Sequence, residues 1–216
     1  LAGDNAVAVG LAAAALPKDQ QRRAIFWGIV LALFLRIAFA SVTLHLLEIQ
    51  GLLLAGGVLP WDALEPVAAR IRPLGWHINL QMNGCDLPQV QDRLARLPVP
   101  LVIDHLGKFL PPPAVDSPAF RSLCTLLDGG RTWVKLSAPY ESSQTGAPAY
   151  ADVGTLATAM ARGFADRCLW ASNWPHPNRQ PVPDDADMLG LLNGWAGDAS
   201  AVRRILADNP QTLYGF

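Results

Sequence analysis

Short apolar stretches alternate with amphipathic ones along residues 76–172, and this alternation strongly limits the folds open to the chain. Residues 76–82 switch between apolar and polar side chains, which is typical of a strand with two different faces. Residues 99–104 form an apolar run bounded by turn signals, as expected of a buried parallel strand. Strands that alternate with helices of about ten residues predict βα units and a parallel sheet.

Four strands and six helices are predicted from these patterns. The strands are expected at residues 76–82, 99–104, 132–137 and 167–172, and the helices at 62–71, 87–97, 120–127, 152–163, 185–195 and 199–206. Four strands are half of those in a (β/α)8 barrel. The predicted fold class is α/β, a partial TIM (β/α)8 barrel of about four to five βα units. Apolar, transmembrane-like helices are expected to precede it.

Polar side chains lie at or just after the carboxyl end of every predicted strand. They are Gln81 with Asn83, then His105, then Lys135 with Ser137, and finally Asn173 with His176. In (β/α)8 enzymes the carboxyl ends of the strands carry the active site, so one shared site is one interpretation. Chance is the other, because loops that follow strands are commonly polar.

The last predicted strand leads directly into the loop Asn173-Trp-Pro-His-Pro177. Proline fixes φ and removes a backbone donor, so this loop is predicted to be rigid. Trp170 and Trp174 lie on either side of Asn173, and His176 stands between two prolines. The pattern favours a preorganised polar cluster at a barrel mouth, with a tight turn covered by two tryptophans as the alternative.

The net charge and the cysteine spacing indicate whether nucleic acid or a zinc site is expected. The chain of 216 residues has a formal net charge of −1. Nucleic-acid-binding proteins present a basic face, so no nucleic-acid partner is expected. Cys85, Cys124 and Cys168 are widely spaced and form no zinc-type pair. They are interpreted as small buried apolar side chains in a reducing compartment.

Residues 1–59 differ from the remainder in being almost entirely apolar. The run from Ala24 to Leu47 is long enough to cross about 30 Å of hydrocarbon as a helix. The charged loop from Pro17 to Arg23 then predicts a transmembrane hairpin with a cytoplasmic turn. Arg36, in the middle of the run, would need a partner such as Asp4. The alternative is a buried helix of a soluble protein rich in alanine and leucine.

Four short motifs stand in this segment: Gly3-Asp-Asn-Ala6, Leu16-Pro17, Gln21-Arg-Arg-Ala-Ile-Phe-Trp-Gly28 and Leu35-Arg36. Together they resemble the TerC family of integral membrane proteins. The resemblance implies a multi-span protein associated with metal-ion export or tellurite resistance, with Asp4 and Asn5 in an intramembrane polar motif. Residues 1–59 hold only about two and a half spans, so transport by this segment alone is not expected.

Five further motifs follow in order from residue 61 to the end. They are Gly75-Trp-His-Ile-Asn-Leu-Gln81, Val102-Ile-Asp-His-Leu-Gly107, Trp133-Val-Lys-Leu-Ser137 with Tyr140, Leu169-Trp-Ala-Ser-Asn-Trp-Pro-His-Pro177, and Asn209-Pro210 with Leu213-Tyr-Gly-Phe216. They resemble the amidohydrolases, in particular the 2-pyrone-4,6-dicarboxylate lactonase-like hydrolases. The resemblance implies a (β/α)8 barrel, hydrolysis of a lactone ring and a small-molecule lactone or ester substrate.

Three features depart from the pattern of that family. Its opening strand carries a His-x-His pair, which residues 1–59 do not supply. His105 alone falls short of the three protein ligands usual in a catalytic metal site. No metal ligand is therefore assigned, although zinc is possible by analogy, and the lactonase branch is thought to work without metal.

Asn173 stands where the family usually has Asp, and an amide cannot act as a general base. Glu141 follows Tyr140 in place of an arginine, which argues against a dicarboxylate substrate.

The catalytic residues are predicted to be His105, as proton shuttle or carbonyl polariser, with Asn173 and His176 positioning water or substrate. The predicted substrate-binding residues are Gln81, Lys135, Ser137, Tyr140 and Trp174. For Lys135, an inward charge with a structural partner is the alternative. His77 is expected to have a structural role.

Two functional hypotheses follow from the sequence. The first is a hydrolase of lactones or cyclic esters, metal-independent or weakly metal-dependent, built by residues 60–216 and inactive if the chain is a truncated chimera. The second is a TerC-like integral membrane protein, defined by residues 1–59, that carries a soluble appendage. The seam is expected between Val58 and Ala63. The protein is expected at a membrane if residues 1–59 insert, with the hydrolase part otherwise cytoplasmic.

Overall fold

In the computed structural model, which describes residues 60–215, four strands form one parallel sheet in chain order. They are β1 (Ile78–Leu80), β2 (Leu101–Ile103), β3 (Thr132–Leu136) and β4 (Cys168–Trp170). All three neighbouring pairs are parallel. The predicted α/β fold with a parallel sheet is confirmed. The predicted transmembrane helices of residues 1–59 lie outside the described residues.

Seven α-helices accompany the sheet within residues 60–215. They are α1 (Leu64–Ile71), α2 (Leu87–Ala95), α3 (Pro118–Asp128), α4 (Ala151–Gly163), α5 (Asp185–Ala196), α6 (Ala199–Arg203) and α7 (Asn209–Tyr214). None of the helices in this range is long and apolar enough to cross a membrane.

All four strands are shorter than predicted, and the predicted last helix ends early. Strand β1 is shorter than residues 76–82, because its pairing with β2 extends only from Ile78 to Leu80. The helix predicted at 199–206 ends at Arg203 and continues as a π-turn, Arg204–Asp208, into the unpredicted α7. Pro210 lies in the first turn of α7, where a proline suits the start of a new helix.

Polar caps fix where the helices begin after the loops of the sheet's carboxyl edge. The hydroxyl of Ser117 accepts a hydrogen bond from the backbone N–H of Phe120 at the start of α3. The carboxylate of Asp184 accepts hydrogen bonds from the backbone N–H groups of Ala186 and Asp187 at the start of α5. This cap sets Asp185 in the first turn of α5, close to the loop that follows β4.

The two faces of the sheet have different surroundings, because successive side chains of a strand point to opposite sides. Ile103, Val134 and Leu136 belong to the large apolar core that also contains the helix residues. On the other face, Val102, Trp133 and Leu169 form a small apolar cluster against which Leu213 of α7 packs. In a closed barrel this second face lines the interior.

Helix α7 is tied to the start of β4 by one buried side chain. The amide of Asn209, which is 5% exposed, donates hydrogen bonds of 2.7 Å to the carbonyl oxygens of both Ala165 and Cys168. The ring of Tyr214 meets His77 edge-on, with 5.3 Å between centroids. His77 therefore packs against helix α7, and the structural role expected of it stays a prediction.

Candidate active site

The backbone conformation marks one edge of the sheet. Within residues 60–215, all eight non-glycine residues with positive φ lie in the loops after β2, β3 and β4. They are His105, Leu106, Lys108, Ala138, Tyr150, Asn173, His176 and Asn178. Such a conformation costs a non-glycine residue about 1–3 kcal/mol and tends to be retained at functional sites. The strain therefore points to the carboxyl ends of the strands, as the sequence predicted.

A buried ion pair lies at this edge. The ammonium of Lys135 is 2.8 Å from a carboxylate oxygen of Asp104, a residue that is 4% exposed. Lys135 stands between Val134 and Leu136, which face the helices, so it lies on the interior face with Trp133. Lys135 thus has the acidic partner of the structural alternative, and its contact with substrate stays a prediction.

Sequence reasoning did not assign a role to Asp104. A signal was present, because a cation on the interior face needs a nearby acid to offset its desolvation. Asp104 directly follows β2, the strand beside that of Lys135.

His105 follows in a left-handed turn, with a φ of 54°. Its Nδ1 lies 3.1 Å from the hydroxyl of Ser137, which follows β3. Burial lowers the pKa of His105 from its ordinary value of 6.5, outweighing the opposite effect of the Asp104 and Glu141 carboxylates. The imidazole is therefore neutral at pH 7 and able to accept a proton.

Two glycines and one phenylalanine fix the position of this turn. Gly107 has a φ of 84°, and a Cβ there would come within 2.6 Å of the ring of Phe109. A Cβ on Gly84 would lie 2.4 Å from the carbonyl oxygen of Gly107. The N–H of Gly84 donates to the carbonyl of Lys108 at 3.2 Å, so the loops after β1 and β2 are in direct backbone contact.

We expect Gly107→Ala to destabilise the protein by about 1–3 kcal/mol, because the methyl group overlaps Phe109 and the left-handed backbone becomes strained. Urea unfolding measures the effect. Gly190→Ala is the matched control, since nothing lies within 4 Å of its Cβ and the residue is in helix α5. The control is expected to be neutral or stabilising by about 0.5–1 kcal/mol. Equal stabilities of the two variants would contradict the packing argument.

A hydrogen-bonded chain joins the loops after β3 and β4. The amide of Asn173 donates to the hydroxyl oxygen of Tyr140 at 2.9 Å. That hydroxyl lies 2.8 Å from Nδ1 of His176, and Nε2 of His176 lies 3.0 Å from a carboxylate oxygen of Asp185. The directions are consistent if Tyr140 donates to Nδ1 and the protonated Nε2 donates to Asp185. Burial raises the pKa of Tyr140, so its hydroxyl remains a donor at neutral pH.

His176 lies inside this hydrogen-bonded chain. The residue is 2% exposed, and both ring nitrogens have partners within the protein. His176 therefore orients Tyr140 and the loop, and its ring nitrogens are not open to a substrate. Asp185 was not predicted from the sequence as part of the site, although it stands at the start of the helix predicted at 185–195.

A second cluster of charges lies beside Tyr140. The carboxylate of Glu141 is 3.3 Å from the ammonium of Lys108 and 3.2 Å from the guanidinium of Arg179. Arg179 also lies over the ring of Tyr140, with 5.0 Å between its Cζ and the ring centroid. Neither Lys108 nor Arg179 was predicted from the sequence.

The other two predicted substrate-binding residues, Gln81 and Trp174, differ in exposure. Gln81 is half-buried and directly follows β1 at the same edge of the sheet. Trp174 is 74% exposed in the loop after β4. Ser137 and Tyr140, in contrast, are almost fully buried within the hydrogen-bonded groups described above.

The donor set for a metal ion is incomplete in the described part of the chain. Among residues 60–215, no three His, Cys, Asp or Glu side chains lie together so that they could hold a metal ion. The described residues therefore do not fit the divalent metal suggested by analogy.

Two family models match the chain. The model described as "Amidohydrolase" matches residues 39–216, and that of the "Integral membrane protein TerC family" matches residues 1–65. Both resemblances predicted from the sequence are thus confirmed. In the TerC-like part, an uncharacterized membrane protein of Bacillus subtilis is 41% identical over 58 residues, which are 27% of each chain.

Curated relatives match the other part of the chain. A 2-pyrone-4,6-dicarboxylate hydrolase of Comamonas testosteroni is 35% identical over 164 residues, covering 72% of this chain and 54% of the relative. A D-galactarolactone isomerase of Agrobacterium fabrum is 34% identical, covering 74% and 56%. A 4-sulfomuconolactone hydrolase of Hydrogenophaga intermedia is 36% identical, covering 66% and 48%. The chain spans about half the length of these relatives.

Solved structures agree with these matches. An apo crystal structure of an Agrobacterium tumefaciens protein superposes with a TM-score of 0.71 at 33% identity, covering 76% of this chain and 58% of that one. A putative 2-pyrone-4,6-dicarboxylic acid hydrolase of Pseudomonas putida gives a TM-score of 0.60 at 28% identity, covering 69% and 55%. With a family model that spans most of its length, the chain belongs to the amidohydrolase family.

Proposed function

We propose that residues 60–216 form part of the active site of a hydrolase that opens lactones or cyclic esters. The observation that carries the proposal is the convergence of three groups at the carboxyl edge of the sheet. They are the neutral imidazole of His105, the ammonium of Lys135 and the hydroxyl of Tyr140. The names of the relatives support it, since all three refer to a pyrone or lactone compound.

Opening a lactone requires three events at the ester group. Water adds to the carbonyl carbon and loses a proton, negative charge develops on the carbonyl oxygen, and the ring C–O bond breaks as the ring oxygen gains a proton. In the proposed mechanism His105 accepts the proton of water, a role that suits a neutral imidazole, and returns it to the ring oxygen as the ring C–O bond breaks. Lys135 stabilises the charge on the oxygen, because a cation fixed in advance by Asp104 needs little rearrangement.

The remaining polar residues have supporting roles in this proposal. Asn173 donates to the hydroxyl of Tyr140, which donates its own proton to Nδ1 of His176, so the hydroxyl is held in place from both sides. Ser137 orients the ring of His105. Gln81 and Trp174 are proposed to contact substrate at the half-buried and the exposed parts of the edge, respectively.

We further propose that the reaction relies on these side chains and needs no divalent metal held by residues 60–215. The support is the incomplete donor set in that range. Dialysis against a chelator is therefore expected to leave the rate of lactone opening unchanged, and a loss that zinc restores would contradict this part of the proposal.

The test is acid release by the whole chain from a set of neutral lactones of five- and six-membered rings, each compared with its open-chain ester. We expect saturable opening of at least one lactone at a rate proportional to protein concentration. Glu65→Gln is the matched control, because Glu65 pairs with Arg93 on the exposed surface away from the strand ends. A folded chain with no turnover above background would refute the proposal for this protein as it stands.

Membrane attachment through residues 1–59 is a second proposal, favoured by the TerC family match to residues 1–65. It concerns location and is compatible with hydrolysis. After lysis and high-speed centrifugation, the chain is expected in the membrane pellet and released by detergent but not by salt. Recovery of the chain in the supernatant would remove this second proposal.

A further inference from the structure

Three loops place one carboxylate between two cations. Lys108 comes from the loop after β2, Glu141 from the loop after β3 and Arg179 from the loop after β4. The ammonium of Lys108 approaches Oε2 of Glu141 at 3.3 Å, whereas the guanidinium of Arg179 approaches Oε1 at 3.2 Å. The two carboxylate oxygens therefore have different cationic partners, an arrangement suited to any carboxylate of that size.

Both cations are held by the structure that surrounds Tyr140. Arg179 stacks on the ring of Tyr140, and its backbone N–H donates to the carbonyl of His176 at 3.2 Å. Lys108 ends the left-handed turn that begins at His105, with a φ of 45°. The pair of cations thus adjoins both the imidazole and the tyrosine of the proposed site.

The carboxylate that lies between these two cations, that of Glu141, is ionised. Burial opposes its ionisation, but the hydrogen bonds from Lys108 and Arg179 outweigh that effect and lower the pKa of Glu141 below its ordinary value. Its side chain is 20% exposed, compared with 24% for Lys108 and 37% for Arg179, so a molecule in solvent can reach the cluster.

We propose that Lys108 and Arg179 form a carboxylate-binding subsite that Glu141 occupies in the free protein. The inference rests on the proposed lactone-opening function and adds a substrate class to it. An acidic lactone would have to compete with Glu141 for both cations, whereas a neutral lactone would not. Glu141 therefore sets a preference for neutral lactones, and its removal opens the subsite to anionic ones.

The experiment uses Glu141→Gln in the whole chain, with succinate as a probe of carboxylate binding. Calorimetry at low ionic strength is expected to show a Kd for succinate that is at least tenfold lower in the variant than in the unchanged protein. Adding Arg179→Gln to Glu141→Gln is expected to abolish the gain. Glu65→Gln, which removes a carboxylate from an arginine pair elsewhere, is expected to leave the Kd unchanged.

A purely structural role of Glu141 predicts a different result. In that case Glu141→Gln lowers the stability to urea and leaves the Kd for succinate unchanged, which would overturn the proposal. If Glu141→Gln does not fold, Glu141→Ser removes the same carboxylate with a smaller side chain and is judged by the same criterion.

A kinetic measurement distinguishes a failure of the subsite proposal from a failure of the proposed function. For a pair of lactones that differ only in a ring carboxylate, Glu141→Gln is expected to lower the KM of the acidic lactone relative to that of the neutral one. Turnover with an unchanged KM ratio would refute the subsite and spare the hydrolase. Tighter succinate binding without any turnover would refute the hydrolase and spare the subsite.

Discussion

Replacing His105 by glutamine is expected to lower kcat/KM for lactone opening by about 10²–10⁴-fold, the usual contribution of a general base. Glutamine can still hydrogen-bond to Ser137, so the loss would report the missing proton acceptor and not a displaced loop. Initial rates of acid release, measured with the unchanged protein and the variant at equal concentration, give the ratio directly.

The pH dependence gives a second readout for the same residue. Burial lowers the pKa of His105 from 6.5, so the neutral, active form persists to a lower pH than for a histidine in water. The rate of the unchanged protein is expected to stay level above pH 6.5 and to fall as the pH drops through that lowered pKa. The profile of His105→Gln should lack this fall. An unchanged rate in the variant would show that His105 is not the base.

Ser137→Ala is the control that separates the imidazole from its support. It removes the hydroxyl 3.1 Å from Nδ1 and keeps the ring. We expect a smaller loss than for His105→Gln, with the pH dependence retained. A loss equal to that of His105→Gln would assign the chemistry to the pair and not to the histidine alone.

Lys135→Met is expected to destabilise the protein by about 3–5 kcal/mol, because it leaves the Asp104 carboxylate buried without its cation. Asp104 is only 4% exposed, so water cannot take over the role of Lys135. The free energy of unfolding, measured in urea, tests this value. Arg203→Met is the matched control, since Arg203 is 79% exposed and pairs with Asp208 at 3.6 Å. Its expected effect is below about 1 kcal/mol.

The double variant Lys135→Met with Asp104→Asn distinguishes the two roles of the lysine. With both charges removed, much of the lost stability should return, because no uncompensated charge remains buried. Lactone opening should stay impaired, because the cation at the carbonyl oxygen is still missing. Recovery of both stability and activity would make the ion pair purely structural.

The sequence was sufficient to predict the sheet and the edge at which the polar side chains lie. The alternation at residues 76–82 and the apolar run at 99–104 depend on local periodicity, and strands form at both places. Residues that directly follow strands, such as His105 and Ser137, were predicted to share a site because parallel strands end at the same edge. The structure places these two side chains in hydrogen-bonding distance.

Partnerships between loops could not be predicted in the same way. Glu141 meets Lys108 and Arg179 from positions more than thirty residues away in each direction, and such contacts depend on the shapes of three loops. The left-handed backbone at Ala138 and Leu106 also has no sequence signal, because neither residue type favours positive φ. The contact of His176 with Asp185 was not predictable either, because the position of Asp185 depends on the cap at Asp184.

The hydrogen-bonded chain from Asn173 through Tyr140 and His176 to Asp185 has a consequence for how this site can evolve. From Tyr140 to Asp185 each member accepts its neighbour's proton, so an Asp at position 173 would need Tyr140 to donate where it now accepts. The effect of that single substitution would depend on what stands at His176 and Asp185. Changes along this chain should therefore be epistatic, and a lineage would reach an acidic residue at position 173 through paired substitutions.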